Sequence, residues 1–153
     1  MANTYTQLYI HIVFAVLGRE SLISNSWKDE LYKYIAGIIK EKGQKPYIIN
    51  GMHEHIHILI SIHPNINLSD LVRDIKSNSS KWINEKSLVK GRFSWQEGFG
   101  AFSYGQSQLP ALINYIKNQE AHHNVKSFKE EYHELLKKFE VDFDAKYVFK
   151  DVE

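Results

Sequence analysis

The chain contains no cysteine. That single absence excludes disulfides, thiolate zinc centres, iron–sulfur clusters and cysteine nucleophiles. Any metal is therefore held by nitrogen and oxygen. No apolar run approaches the roughly 18 residues that a membrane span needs, and the first residues, Met1-Ala2-Asn3-Thr4-Tyr5, lack the charged and apolar regions of a signal peptide. The expectation is a cytoplasmic protein without membrane contact. Net charge is also scarce, +1 in total, so composition alone does not announce a nucleic-acid binder. Internal repeats, low-complexity tracts and linkers are missing, and 153 residues suit one domain over 1–153.

The charge is unevenly placed. From Arg73 to Arg92 there are six basic residues against two acids, a balance of +4. From Ser127 to Glu153 five lysines face eight acids, a balance of −3. Such polarity fits a local phosphate-binding surface, and it fits a solvated helix face equally well.

The most informative stretch is Met52-His53-Glu54-His55-Ile56-His57-Ile58-Leu59-Ile60. Strand side chains alternate, so His53, His55 and His57 are expected on one face and Ile56, Ile58 and Ile60 on the other. Two imidazoles two residues apart on a strand can converge on one metal ion.

Around it the chain reads in order. Residues 5–17, dense in aromatic and β-branched side chains, predict a first strand. Helical spacing of Trp27, Leu31, Tyr34, Ile35 and Ile38 predicts a helix over 27–42, capped by Ser26 with Asp29 and stopped by Gly43. A second strand covers 44–50, and Asn50-Gly51 with the residues after it can turn the chain into a third strand over 55–62. A helix over 68–85 follows an Asn67 or Ser69 cap, and a glycine-punctuated fourth strand spans 98–104. Ser107 caps a helix over 108–124 with Pro110 in its first turn. Ser127-Phe128-Lys129-Glu130 is a capping box for a last helix to about 139. The order β-α-β-β-α-β plus two C-terminal helices is the ferredoxin-like, split β-α-β pattern of the α+β class. It has an antiparallel sheet with strands one and three at its centre.

On the helix over 108–124, Tyr115 and Gln119 are one turn apart, with Asn118 and His122 flanking. Spacing alone does not select this tyrosine among nine.

Together, the histidine stretch, Trp95-Gln96-Glu97-Gly98-Phe99-Gly100-Ala101-Phe102-Ser103 and Tyr115-Ile116-Lys117-Asn118-Gln119-Glu120-Ala121-His122-His123 resemble the single-tyrosine transposases of the insertion sequence 200/605 type, within the HUH (His-hydrophobic-His) endonucleases. The resemblance runs over nearly the whole chain in the family's order. It implies that His55 and His57 are metal ligands, that Gln119 is the third ligand with His122 and His123 as rivals, and that Tyr115 is the nucleophile. His53 and Glu54 then lie outside the ligand pair.

The implied reaction is cleavage and rejoining of single-stranded DNA at insertion-element ends through a 5′-phosphotyrosine. Ligand type alone leaves zinc open, and the resemblance favours magnesium or manganese. It also implies DNA hairpins as partners and a homodimer in which the tyrosine helix completes the partner's site. For DNA contact, Arg73, Lys76, Ser77, Ser80, Lys81 and Arg92 are the expected backbone contacts, with Trp95, Phe99 or Tyr104 stacking on bases. Two rival readings stand beside this one. A histidine-triad nucleotide hydrolase would use His53, His55 and His57, and a domesticated nucleic-acid-binding module would have no catalysis.

Overall fold

In the computed structural model, which describes residues 3–143, four antiparallel strands form one sheet in the order β2-β3-β1-β4. They are β1 (Leu8–Ala15), β2 (Lys45–Gly51), β3 (His55–Ile62) and β4 (Gly100–Tyr104). The helices are α1 (Lys28–Glu41), α2 (Leu68–Glu85), α3 (Leu109–Lys117), α4 (Gln119–His123) and α5 (Phe128–Lys138). This is the expected α+β, ferredoxin-like arrangement with β1 and β3 central.

The two central strands are buried on both faces, and each face has its own helices. Ile12, Phe14, Ile56, Ile58 and Ile60 pack with Leu31 and Ile35 of α1 and Leu71 and Ile75 of α2. The opposite face carries His11, Val13, Ala15, His55, His57 and Leu59. There Leu112 and Ile116 of α3 pack on Leu59, and Phe128, Leu135 and Leu136 of α5 pack with Val13 and Ala15. Burying each such aliphatic side chain is worth about 1.5–3 kcal/mol. The histidine face is thus roofed by the C-terminal helices.

Local signals behave unevenly. Asn67 caps α2 by accepting from the Asp70 N–H, and Ser127 and Glu130 form the expected capping box of α5. Ser26 does not cap α1. Trp27 holds the cap position, and Ser24 and Ser26 bond to each other in the preceding turn. The expected helix over 108–124 is divided at Asn118, where ψ of 32° ends α3 before α4 begins. The Asn50 amide donates to the carbonyls of Ile116 (3.0 Å) and Lys117 (3.1 Å), so β2 terminates α3 by taking its last carbonyls.

Asn50 and Gly51 end β2, pairing with His57 and Ile56, and the residues after them make the turn into β3. A Cβ on Gly51 would lie 2.2 Å from the His55 carbonyl oxygen and 2.8 Å from the Ile56 Cα, both backbone atoms of a central strand. Gly51→Ala is accordingly expected to destabilise the fold by about 1–3 kcal/mol through overpacking, read from the midpoint of urea unfolding. An unchanged midpoint would mean that the β2–β3 turn relaxes freely.

Candidate metal and nucleophile centre

His55 and His57 point from β3 into the space under α3, α4 and α5, and both are fully buried. His53 does not join them. It precedes the strand in a bend, and its Nδ1 sits 2.5 Å from the Ile23 carbonyl oxygen.

The side chain at the centre of the site is one the sequence reading missed, Glu131 of α5, only 5% exposed. Its Oε1 lies 3.1 Å from His57 Nε2, 3.3 Å from His55 Nε2 and 3.1 Å from His123 Nε2. Its Oε2 accepts from the Tyr115 hydroxyl and from the Gln119 amide at 3.0 Å. The Gln119 Oε1 is 3.1 Å from His55 Nε2. Tyr115, Gln119, His55 and His57 therefore come together in one chain, although α3 ends between Tyr115 and Gln119. Of the rival ligands, His123 reaches the cluster, while His122 is exposed with its ring against Tyr115, centroids 4.7 Å apart.

The far nitrogens of the two strand imidazoles are also engaged. His55 Nδ1 lies 2.5 Å from Glu54 Oε1, and His57 Nδ1 lies 2.7 Å from His11 Nε2. Histidines that bind metal through Nε2 carry their proton on Nδ1 and donate it to an acceptor. Both acceptors are in place here, Glu54 for His55 and His11 for His57, so the residues fit a divalent ion. The only described groups of three metal-binding side chains are His55, His57, Glu131 and Glu54, His55, His123, which share His55.

The electrostatics follow from burial and pairing. Burial alone would raise the Glu131 pKa, but hydrogen bonds from His123, His55 and His57 outweigh it and hold the carboxyl far below its ordinary range. Burial would lower His55, yet its bonds to Glu131 and Glu54 raise it. His57 is lowered by burial, and His11 is pushed well down by burial and by its neighbour His57. Burial, reinforced by the Glu131 charge, raises the Tyr115 phenol far above its usual value.

These directions set a pH dependence for protein stripped of divalent ions. As pH drops through about 6.5, the unfolded chain protonates His11 and His57 while the folded protein resists, so stability falls. His55 acts oppositely, contributing below about 6.5 and losing that contribution as pH rises through its folded pKa, so it offsets part of the loss. Below about 4.3 the unfolded chain protonates Glu131 and the native one does not, adding a second decline. Thermal midpoints in chelator are expected to decrease from pH 7 to 5 and more steeply below about 4.5. A midpoint that rises on acidification would refute these directions.

The expected backbone contacts lie on the α2 side of the molecule with Trp95 and Phe99, whereas Tyr104 lines the cavity beside Tyr115. Arg73, Lys76, Ser77, Ser80, Trp95 and Phe99 line a cleft of about 460 Å³. Ser77, Ser80, Lys81 and Arg92 line a neighbouring one of about 500 Å³. Not all are equally available. Arg73 pairs with Asp70 at 3.0 Å, and the Lys76 ammonium donates to the carbonyls of Gln96 and Gly98. Trp95 lines the cleft but presents little of its ring there. It is 8% exposed, donates through Nε1 to Ser79 Oγ at 2.9 Å, and is wedged between Phe14 and Phe93. Residues 96–99 also line a smaller cleft reaching Phe128, whose ring stacks on His55 at 4.2 Å.

Within a single chain the tyrosine helix is already anchored beside the histidine pair. Asn50 fastens α3 to β2 of the same chain, and Tyr115 meets its own histidine pair through Glu131. Among the described residues no helix is long and apolar enough to cross a membrane.

Comparison with known proteins adds to this geometry. The family model described as "Transposase IS200 like" matches residues 4–119. The ISDra2 transposase TnpA of Deinococcus radiodurans is 21% identical over 118 residues, covering 74% of this chain and 84% of that protein. In three dimensions the fold resembles a crystal structure assigned as a transposase from Deinococcus radiodurans R1, with TM-score 0.64 and 18% identity over 78% of this chain and 95% of that one. It also resembles a REP-associated tyrosine transposase bound to a REP hairpin, with TM-score 0.60 and 14% identity over 91% and 86%. The family match takes in all four strands, the helices α1 to α3 and the residues Tyr115 and Gln119, and on that ground the chain belongs to the IS200-like transposases.

Proposed function

We propose that this transposase cleaves and rejoins single-stranded DNA through a covalent 5′-phosphotyrosine on Tyr115, at a centre assembled within one chain. One observation carries the reading: the Tyr115 hydroxyl and the Nε2 atoms of His55 and His57 all bond to the same buried carboxylate. A cavity of about 580 Å³ between α3 and α5, lined by Tyr115, Glu131, Gln108 and Lys138, gives a DNA strand access to the phenol.

At rest the phenol is protonated, held by burial and by the Glu131 charge. In cleavage the phenolic oxygen forms a bond to phosphorus, the P–O3′ bond breaks, and the departing 3′ oxygen gains a proton to match the one the phenol gives up. The ester energy stays in the tyrosine link, so a second 3′-hydroxyl can reverse the step without ATP. His55, His57 and Gln119 would hold magnesium or manganese, which when bound supplies Lewis-acid polarisation of the phosphate. Burial by α3, α4 and α5 keeps bulk water off the two strand imidazoles.

The basic clefts beside α2 are proposed to hold the DNA backbone, with Phe99 offering a stacking surface and hairpin DNA as the recognised form. Lys81→Ala and Arg92→Ala are each expected to weaken single-strand binding and to lower the slope of log affinity against log salt by about 0.7, measured by fluorescence anisotropy. An unchanged slope would place the backbone elsewhere.

The test of the function uses single-stranded DNA containing an element end, labelled separately in its two halves, with Mn²⁺. A denaturant-resistant adduct carrying the label of the 3′ half is expected, and chelator should prevent it. Label from the 5′ half would reverse the polarity of the link. Hairpin binding with no adduct on any end would favour the non-catalytic module.

A further inference from the structure

We propose that Glu131 is a protein ligand of the divalent ion in addition to His55, His57 and Gln119, and that its second oxygen positions the Tyr115 hydroxyl. The inference rests on the proposed function for the kind of ion involved.

The placement of donors comes first. His55, His57 and His123 direct Nε2 atoms at Glu131 Oε1 over 3.1–3.3 Å, and Gln119 Oε1 approaches the same His55 nitrogen at 3.1 Å. Because Glu54 and His11 can accept the Nδ1 protons, the two strand imidazoles can offer Nε2 lone pairs to a cation beside that carboxylate.

Charge argues the same way. Glu131 is buried, and a carboxylate withdrawn from water needs a compensating charge or a full set of hydrogen-bond donors. Its partners are three imidazoles, an amide and a phenol, with no lysine or arginine among them. A divalent cation would supply that charge. Two imidazoles and an amide form a neutral donor set, whereas magnesium and manganese favour carboxylate oxygen. Glu131 gives the set the anionic oxygen it otherwise lacks.

The position of Glu131 is built in by packing. The capping box at Ser127 starts α5, Phe128 stacks on His55, and Leu135 and Leu136 are buried with Val13 and Phe102. The family match ends at Gln119, twelve residues before Glu131, so the carboxylate comes from a part of the chain outside that match.

Titration of the full chain with Mn²⁺, followed by calorimetry, tests the proposal. Glu131→Gln keeps the size of the side chain and is expected to weaken Mn²⁺ binding about tenfold or more. Equal affinity would reduce Glu131 to a partner of the imidazoles, and tighter binding would make it a plug that the ion displaces; either result overturns the proposal, as would wild type that binds no Mn²⁺. Should Glu131→Gln not fold, the ¹³C shift of the Glu131 carboxyl in the wild-type protein is read instead. It is expected to move on saturation with Mg²⁺, and a fixed shift overturns ligation. Failure of the function itself has a different signature: Mn²⁺ binding that depends on Glu131, with no tyrosine–DNA adduct.

Discussion

Tyr115→Phe is expected to abolish covalent capture of DNA while leaving the protein folded. The substitution removes one oxygen and keeps the ring, which lies edge-on to His57 at 5.8 Å and against His122 at 4.7 Å. The lost hydroxyl donates to Glu131, and that carboxylate retains four nitrogen neighbours within 3.3 Å, on His55, His57, His123 and Gln119. A hydrogen bond to a charged group is worth about 1.5–3 kcal/mol, so stability falls modestly at most. Chemistry, in contrast, has no substitute for a nucleophile, and the adduct should drop below detection on denaturing gels. A second tyrosine supplies the control. Tyr104 lines the same cavity with its phenol pushed up to about 12 by burial. Tyr104→Phe keeps the ring against His11 and Phe139 and is expected to retain the adduct. If the adduct survives in Tyr115→Phe and disappears in Tyr104→Phe, the nucleophile has been misassigned.

The parts of this centre that sequence revealed are those encoded by local spacing. His55 and His57 stand at strand period in an apolar run, and Tyr115 and Gln119 stand one turn apart, so both pairs could be paired with a resemblance and placed on elements. His53 shows where periodicity overreaches. The same spacing extends back to it, but β3 begins at His55, and two residues earlier the backbone is already turning, with Met52 N–H bonded to the His55 carbonyl. The histidine-triad reading depended on that third imidazole, and membership of the transposase family takes its place.

Glu131 and His11 were invisible for a different reason: each reaches the site only through tertiary packing. Glu130 and Glu131 are adjacent acids, yet one closes the capping box at Ser127 and the other is buried among imidazoles. One signal was available. Phe128, Glu131 and Leu135 fall at i, i+3 and i+7, so Glu131 occupies a slot in the apolar stripe of α5. A carboxylate in such a slot needs a partner, and the sequence offers several without ranking them. His11 likewise alternates with Ile10 and Ile12 on β1, and its pairing with His57 follows from the β1–β3 register, which places Val13 opposite His57 and leaves His11 one step along the same face. The burial of Trp95 was likewise not legible from spacing, since it follows from the Val16–Trp95 bridge that draws the ring toward the core.

His57→Ala is expected to lose both metal binding and DNA cleavage, where His53→Ala loses neither. The His57 ring is fully buried and joins two parts of the site, with Nδ1 on His11 Nε2 and Nε2 on Glu131 Oε1. Truncation opens a cavity beside His11, whose Nδ1 has no hydrogen-bond partner, so both its ring nitrogens would then be unsatisfied. Cavity and unpaired polar groups together are expected to cost about 2–5 kcal/mol, visible as a lower thermal midpoint. Mn²⁺ affinity should fall about a hundredfold or more, since one of two strand ligands is gone while outer partners alone are worth about 10–100-fold. His53 bonds instead to the Ile23 carbonyl, and its removal should leave Mn²⁺ affinity within error of wild type and the adduct intact. His57→Asn, which keeps a polar group and fills more of the cavity, separates ligand loss from unfolding: a folded variant that still binds no Mn²⁺ locates the defect in the imidazole. Equal loss of metal in His53→Ala and His57→Ala would instead mean that all three histidines act on one ion, and the division between the strand pair and the bend residue would be wrong.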